Sequence, residues 1–125
     1  MEIMQVAQHA DDLDRAAAFY ERLLGGPPAA RFEPPGLLFF NVGIGRLLLE
    51  QAAPSALVYL QVDDARARVE ELRADGVEII GEPHVIFTHT DDTLGPAGTD
   101  EWMAFIRDSE GNTVGLVSHE PRHDP

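Results

Sequence analysis

The feature that most constrains this chain is an internal repeat. The dipeptide Asp11-Asp12 recurs 52 residues later as Asp63-Asp64, each time between an alternating apolar segment and an amphipathic helical pattern. The segments that precede the two dipeptides, residues 4–10 and 56–62, align without a gap. A period close to half of the 125 residues indicates one structural module that is used twice.

Each module is predicted to contain a strand, a helix and three further strands. Alternation over residues 3–9 is typical of the first strand. An aspartate of each dipeptide can cap the following helix, because its carboxylate accepts backbone N–H groups that have no partner within the helix. The first helix should end near Leu24 and the second at Gly76. The remaining strands are predicted near 29–33, 37–42 and 46–51, and near 77–89, 101–107 and 112–118.

The faces of these elements can also be predicted. Met4, Val6 and Gln8 share one face of the first strand, which should pack on the helices, whereas Gln5 and His9 point to the other face. Val69 is expected to be buried in the second helix, together with Ala65 and Leu72. The predicted apolar stripe of the first helix consists of Leu13, Ala16, Ala17, Tyr20, Leu23 and Leu24.

Two segments of the second module depart from regular strand patterns. Pro83 interrupts the strand near 77–89 and predicts an edge, a bulge or a break there. Residues 90–100, TDDTLGPAGTD, form the longest predicted loop and are the best candidate for a mobile lid. Residues 108–112 are typical of a hairpin turn between the last two strands.

Composition limits the class of protein. The 125 residues, 44% of them hydrophobic, predict a single domain over residues 1–120, with modules at about 1–52 and 53–119 and a tail at 120–125. The absence of cysteine excludes disulfides, zinc fingers and thiol chemistry. With neither a signal-peptide pattern nor an apolar run of about 20 residues, we expect a cytoplasmic protein.

The charge balance excludes two kinds of partner. Asp and Glu number 22 against nine Lys and Arg, which gives a formal net charge of −13. Binding to nucleic acid or to an anionic membrane begins with cationic side chains on phosphate groups. We therefore expect neither partner.

Three passages carry a resemblance to a known family. They are DLDRAAAFYERLLGG at 12–26, VDDARARVEELRADGVEI at 62–79 and MAFIRDSEGNTVGLV at 103–117. Together with the repeated order of elements, they resemble the vicinal oxygen chelate superfamily. That superfamily contains glyoxalase I, extradiol dioxygenases, methylmalonyl-CoA epimerases and bleomycin-resistance proteins. The resemblance implies an α+β fold in which two βαβββ modules form a curved mixed sheet with a concave cavity for a small-molecule ligand.

The resemblance also implies where a divalent metal would be bound, namely by the first and last strands of each module. In the first module these positions fall on Gln5 and on Glu50, or on Leu49 if the hairpin turns are aligned instead. In the second module they fall on Leu57 and Gly115, which have no side-chain donor. The predicted metal ligands are therefore Gln5, Glu50 and His84. The cofactor stays unassigned, with Ni²⁺, Zn²⁺, Mn²⁺ or Fe²⁺ as the ions that the resemblance implies.

Other residues could rebuild a metal site. A subset of His9, His84, Glu101 and His119 is one alternative. His84 could instead be a hydrogen-bonded partner of Glu101 or of a loop backbone. His89 is interpreted as a solvated loop residue, and His119 and His123 as tail residues without a chemical role.

The cavity that the resemblance implies would be lined by further candidates. Glu50 and Glu101 are the candidate catalytic groups, because a desolvated carboxylate can act as a general base with a raised pKa. Salt bridges with Arg46 or Arg107 are the alternative for these two acids. The candidate ligand-binding residues are His9, Phe40, Tyr59, Trp102, Met103 and Phe105, of which the aromatic ones could equally be ordinary core.

These observations leave two functional hypotheses. The first is binding of a small organic molecule in a cavity whose metal site is degenerate. The second is a metal-dependent lyase or isomerase of the glyoxalase or epimerase type. In either case we expect a homodimer that covers exposed strand edges.

Overall fold

The elements follow the predicted order of strand, helix and three strands, twice. The computed structural model describes residues 1–122. The first set is β1 (Gln5–His9), α1 (Leu13–Leu24), β2 (Ala30–Phe32), β3 (Leu37–Val42) and β4 (Gly45–Glu50). The second set is β5 (Val58–Gln61), α2 (Ala65–Ala74), β6 (Ile79–His89), β7 (Thr99–Arg107) and β8 (Thr113–Pro121). The α+β class is thereby confirmed.

The strands form two four-stranded mixed sheets of the same topology. The first sheet has the order β1-β4-β3-β2 and the second the order β5-β8-β7-β6. In each sheet the first strand of the module pairs in parallel with the last one, and the other pairs are antiparallel. The chain divides into two compact units, the first of residues 1–57 and 108–112, the second of 58–107 and the segment that begins at Thr113.

Both helices begin at the predicted aspartates. The Asp12 side chain accepts a hydrogen bond from the Arg15 N–H, and the Asp64 side chain accepts one from the Ala67 N–H. α1 is followed by its C-cap Gly25, whose φ of 84° is in the left-handed region that glycine adopts without strain. The second aspartate of each dipeptide is thus the N-cap, a choice that the sequence left open.

One face of each sheet is packed against the helix of its own unit. α2 buries Ala65, Val69 and Leu72, as predicted. α1 buries Ala16 and Tyr20, but also Phe19, which the predicted stripe omitted. The other members of that stripe, Leu13, Ala17, Leu23 and Leu24, are half-buried.

The predicted alternation of β1 is confirmed in its central part. Gln8 is fully buried on the helix side, whereas Met4 precedes β1 and is 63% exposed, so its predicted packing on the helix is wrong. Phe40 of β3 is also on the helix side, where its ring lies 6.1 Å from that of Tyr20. With an exposed fraction of 2%, Phe40 is a core residue and not part of a ligand surface.

The β7–β8 turn belongs to the first unit and is fastened to α1. Asp108 accepts a hydrogen bond of 2.6 Å from the Tyr20 hydroxyl, and burial together with this carboxylate raises the pKa of Tyr20. Glu110 accepts hydrogen bonds from the backbone N–H groups of Asp11 and Asp12, each at 2.9 Å, and pairs with Arg15 through both oxygens. The turn thus supplies an anion to the helix N-terminus, where the helix dipole favours one.

Two further predictions concern β6 and the membrane. β6 is the last strand of its sheet, and its pairing with β7 shifts register between Gly81 and His84, so the predicted irregularity at Pro83 is confirmed. Among the described residues no helix has the length and apolar character to span a bilayer.

β8 continues through Pro121, two residues into the predicted tail, and residues 123–125 of that tail, with His123, lie outside the described residues.

The Glu110 contacts lead to a prediction about pH. Burial opposes ionisation of Glu110, but the hydrogen bonds from Arg15 and Asp12 outweigh it and lower its pKa from 4.5 to about 2. Its contribution to stability is therefore fully present above the unfolded-state pKa of 4.5 and is lost as the pH falls toward 2. We expect Glu110→Gln to lower the free energy of unfolding by about 1–2 kcal/mol at pH 7. The difference from wild type should shrink at pH 3.

Urea unfolding at the two pH values measures this difference. Glu21→Gln, at an exposed position of α1, is the matched control and should change stability little at either pH. A Glu110→Gln variant whose deficit is the same at pH 3 and pH 7 would contradict the assignment.

Candidate functional site

The face of each sheet that is turned away from its own helix is called here the distal face. In the second sheet the distal face contains Tyr59 of β5 directly opposite Gly115 of β8. The Tyr59 ring contacts the Phe105 ring edge-on, with centroids 6.0 Å apart. A Cβ atom at position 115 would lie 2.6 Å from the Tyr59 ring, so the aromatic side chain occupies the space above the glycine.

This packing is decisive for the metal positions that the family resemblance implied in the second module. Gly115 provides no donor, and the place where its side chain would project is filled by Tyr59. Leu57 precedes β5 and is 49% exposed, and its side chain contains no atom that can bind a metal ion. Neither residue fits a metal ion.

The Tyr59–Gly115 contact yields a stability prediction. Gly115→Ala should destabilise the protein by about 1–3 kcal/mol, because the added methyl overpacks against the Tyr59 ring. In the Tyr59→Ala background the same substitution should cost much less, since the ring is absent. A double-mutant cycle measured by chemical unfolding gives this coupling directly. Equal costs in the two backgrounds would show that Tyr59 does not constrain position 115.

The first sheet does not bring Gln5 and Glu50 together. Gln5 pairs with Arg46, and its side-chain oxygen accepts a 2.7 Å hydrogen bond from Arg46 Nε. Glu50 lies four residues further along β4, opposite His9. Four residues of extended strand span roughly 13 Å, too far for two ligands of one ion. The pairing of these two residues as metal ligands is therefore wrong.

Both ring nitrogens of His9, the last residue of β1, have hydrogen-bond partners. Its Nδ1 lies 2.8 Å from the Gln51 carbonyl oxygen and its Nε2 lies 2.9 Å from an Asp11 carboxylate oxygen. The hydrogen bond with Asp11 raises the pKa of His9. His9 thus links the end of β1 to the following residues and to the segment after β4.

A cleft of about 380 Å³ lies on the distal face of the first sheet. Phe32 and Phe39 meet edge-on there, with ring centroids 6.0 Å apart. The Arg46 guanidinium carbon lies 5.5 Å from the centre of the Phe39 ring. The remaining lining residues are Ala29, Ala30 and Asn41.

A cluster of titratable side chains occupies the distal face of the second sheet. Glu101 of β7 pairs directly with His119 of β8, and His89 is the last residue of β6. The Nε2 atoms of His89 and His119 lie 2.9 and 3.0 Å from the same oxygen of Glu101. The donor atoms of the three residues all lie within 4.8 Å of one another.

The cluster corrects two interpretations made from the sequence. His89 is 3% exposed and ends a strand, so it is not a solvated loop residue. His119 lies inside β8 and not in a tail. The sequence also suggested a metal site made from a subset of His9, His84, Glu101 and His119, and of these four Glu101 and His119 come together. His84 is exposed and its Nδ1 lies 3.0 Å from the Glu82 carbonyl oxygen, and His9 belongs to the first unit.

The surroundings hold the cluster in place. The Phe87 ring contacts the His89 ring with centroids 4.8 Å apart, and on the opposite face the Thr88 hydroxyl donates to Asp100 at 2.7 Å and links β6 to β7. Burial opposes ionisation of Glu101, but hydrogen bonds from the two histidines outweigh it and lower its pKa. Glu101 is therefore an ionised acceptor, and the raised pKa that a general base would need is not found.

The other predicted site residues are divided between the faces. Met103 and Phe105 lie on the distal face with Glu101. Trp102 lies on the opposite face, where the Arg66 guanidinium of α2 is 4.1 Å from its ring centre. Arg46 and Arg107 were the alternative partners of the two acids; Arg46 Nε donates to Gln5, and Arg107 Nε donates to Glu78.

The comparisons with known proteins agree with this architecture. The family model of the Glyoxalase/Bleomycin resistance protein/Dioxygenase superfamily matches residues 2–116. The chain therefore belongs to this superfamily, and the resemblance seen in the sequence is confirmed. No curated protein sequence matches.

Solved structures give the same fold. The chain is similar to lactoylglutathione lyase from Agrobacterium tumefaciens, with 27% identity, a TM-score of 0.64 and coverage of 94% of this chain and 92% of that one. A glyoxalase/bleomycin resistance protein/dioxygenase from Nocardioides has 17% identity, a TM-score of 0.69 and coverage of 100% and 87%. A glyoxalase I mutant from Zea mays has 18% identity, a TM-score of 0.71 and coverage of 98% of this chain but 45% of its own.

Proposed function

We propose that this protein binds a small organic molecule, without a metal ion at the positions that the family resemblance implies. The observation that carries the proposal is the cleft formed by Phe32, Phe39 and Arg46. Its volume of about 380 Å³ lies within the range of small-molecule sites, which is roughly 300–1,000 Å³. Such sites are mostly apolar and contain a few polar groups that fix the orientation of the ligand.

The cleft favours a flat ligand that carries an anionic group. Phe32 and Phe39 offer aromatic surface, on which a planar ring can pack. Arg46 also lines the cleft and can pair with a carboxylate through the N–H donors of its planar guanidinium group. The net charge of −13 slows the approach of anions from bulk solvent, so the affinity must come from these local contacts.

The experiment uses aromatic carboxylates, with 2-naphthoate as the first probe, in buffer containing EDTA. Backbone amide shifts in NMR spectra should locate the probe at β2, β3 and the start of β4. Phe39→Ala should raise Kd about two- to tenfold because one aromatic contact is lost. Arg46→Gln should raise Kd about tenfold for the carboxylate and little for the neutral amide analogue.

Ile44→Ala is the matched control for these variants. Ile44 is 84% exposed in the β3–β4 turn and does not line the cleft, so its truncation should leave Kd unchanged. Amide shifts that fall outside the cleft, or a panel in which no aromatic acid binds, would contradict the proposal.

A metal-dependent lyase or isomerase is the second candidate function. The close approach of His89, Glu101 and His119 favours it, because imidazole and carboxylate can hold a catalytic divalent ion. This candidate differs from the first in a simple observable. Turnover of a substrate would require added metal and would be abolished by EDTA, whereas binding in the cleft would persist.

Homodimerisation is proposed on the character of β6. This strand ends its sheet and carries Ile80, Val85, Ile86 and Phe87, each between 39% and 50% exposed. A second copy of the chain would remove this apolar surface from water. A cytoplasmic location and the absence of nucleic-acid and membrane partners are proposed on the composition alone.

A further inference from the structure

We propose that His89, Glu101 and His119 bind a first-row divalent transition-metal ion. The site is built from three neighbouring strands of the second unit, β6, β7 and β8. It differs from the positions that the family resemblance implies, none of which lies on these three residues. The inference does not depend on small-molecule binding in the cleft of the first unit.

The donor atoms already have the spacing that a metal ion requires. Metal–nitrogen and metal–oxygen bonds to Zn²⁺ are about 2.0–2.2 Å long, so two ligands at right angles lie roughly 3.0 Å apart. The two Nε2 atoms lie 2.9 and 3.0 Å from the same Glu101 oxygen. Small rotations of the side chains would therefore place an ion among the three donors without any movement of the strands.

The sheet positions these donors before any ion binds. Glu101 and His119 are directly opposite in the β7–β8 pair, and His89 lies on the neighbouring β6 with its ring against Phe87. The side chain of His89 is 2% exposed and those of Glu101 and His119 are each 18% exposed. Rotamers fixed by burial lose little entropy when an ion binds, which favours affinity.

A glycine leaves space beside the two nitrogen donors. A Cβ atom at Gly95, in the β6–β7 loop, would lie 2.8 Å from His89 Nε2 and 3.0 Å from His119 Nε2. The same point lies 2.8 Å from His89 Cε1, so a side chain at position 95 would crowd both imidazole rings at the nitrogens that would bind the ion. Glycine at 95 is therefore compatible with metal binding, and a larger residue there is not.

The donor set also determines which ions fit. Two neutral imidazoles and one carboxylate suit Zn²⁺, Fe²⁺, Co²⁺ or Ni²⁺, whereas Mg²⁺ and Ca²⁺ prefer sites made of oxygen atoms. One carboxylate leaves a net charge of +1 on the complex with a divalent ion. Three protein ligands leave at least one coordination position for water or for a small oxygen ligand.

The experiment titrates untagged, metal-free protein with Zn²⁺ by calorimetry and with Co²⁺ by visible absorption. We expect about one ion per chain, Co²⁺ bands typical of nitrogen and oxygen ligands, and no binding of Mg²⁺. His119→Gln and Glu101→Gln should each weaken binding by about 100-fold or more, because loss of even an indirect partner costs 10–100-fold. Circular dichroism confirms that each variant is folded.

Two matched controls make the test specific. The triple variant His9→Ala/His84→Ala/His123→Ala removes every histidine outside the cluster and should bind one ion as wild type does. Gly95→Ala keeps all three donors and should weaken Zn²⁺ binding by tenfold or more, whereas Leu94→Ala in the same loop should not. These variants separate loss of the site from a general loss of histidines.

The opposite results would overturn the inference. Wild-type protein that binds no Zn²⁺ or Co²⁺ at millimolar concentration would show a purely hydrogen-bonded His–Glu–His cluster. Binding that is lost in the triple variant, or retained in full by His119→Gln and Glu101→Gln, would place the ion elsewhere. Binding of 2-naphthoate is measured in the presence of EDTA and concerns the first unit, whereas metal binding concerns the second unit. Failure of either proposal therefore leaves the other intact.

Discussion

The side chains of a β-strand alternate between the two faces of a sheet, and in both units one face is occupied by the helix of that unit. Most residues on that face are apolar and well packed, as Phe40 and Ile106 are, although Gln8 and Ser118 are also buried there. The aromatic cleft and the His–Glu–His cluster are both found on the distal face. Arg46, Tyr59 and Glu101 all lie there. Their face follows from the alternation of side chains along each strand and from the residues with which they pair across the sheet.

The same constraint explains what the sequence could predict. The repeat, the helix caps and most strand bounds depend on local patterns, and the structure reproduces them. The glycine at 25 and the aspartates at 12 and 64 act within a few residues of their own position, so a single chain segment contains the necessary information. Phe19 was missed because it lies at the margin of the apolar stripe, where helical periodicity alone does not decide burial.

The site depends on contacts that local patterns do not contain. The parallel pairing of β1 with β4 puts Arg46 beside Gln5, and no periodicity in either strand reveals that register. In β6 the pairing with β7 shifts three times, between Ile79 and Phe87. Each shift changes which residues share a face, so counting along the strand could not place His89 beside Glu101. The proximity of two acidic residues to His89 in the loop suggested solvent exposure, whereas the long-range partners His119 and Glu101 bury it.

Two positions of β8 show how one fold can present different side chains on the same face. At Gly115 the side chain that the family resemblance assigns to a metal is absent, and the Tyr59 ring fills the space and makes an aromatic surface. Four residues further along the same strand, His119 meets Glu101 and His89. Both positions are on the distal face because four is an even number of residues. A substitution at either end changes the donors without disturbing the helix side of the sheet, so the core that maintains the fold places no restriction on where the donors lie. The fold therefore determines which face the candidate donors share, and the individual side chains determine their position on that face.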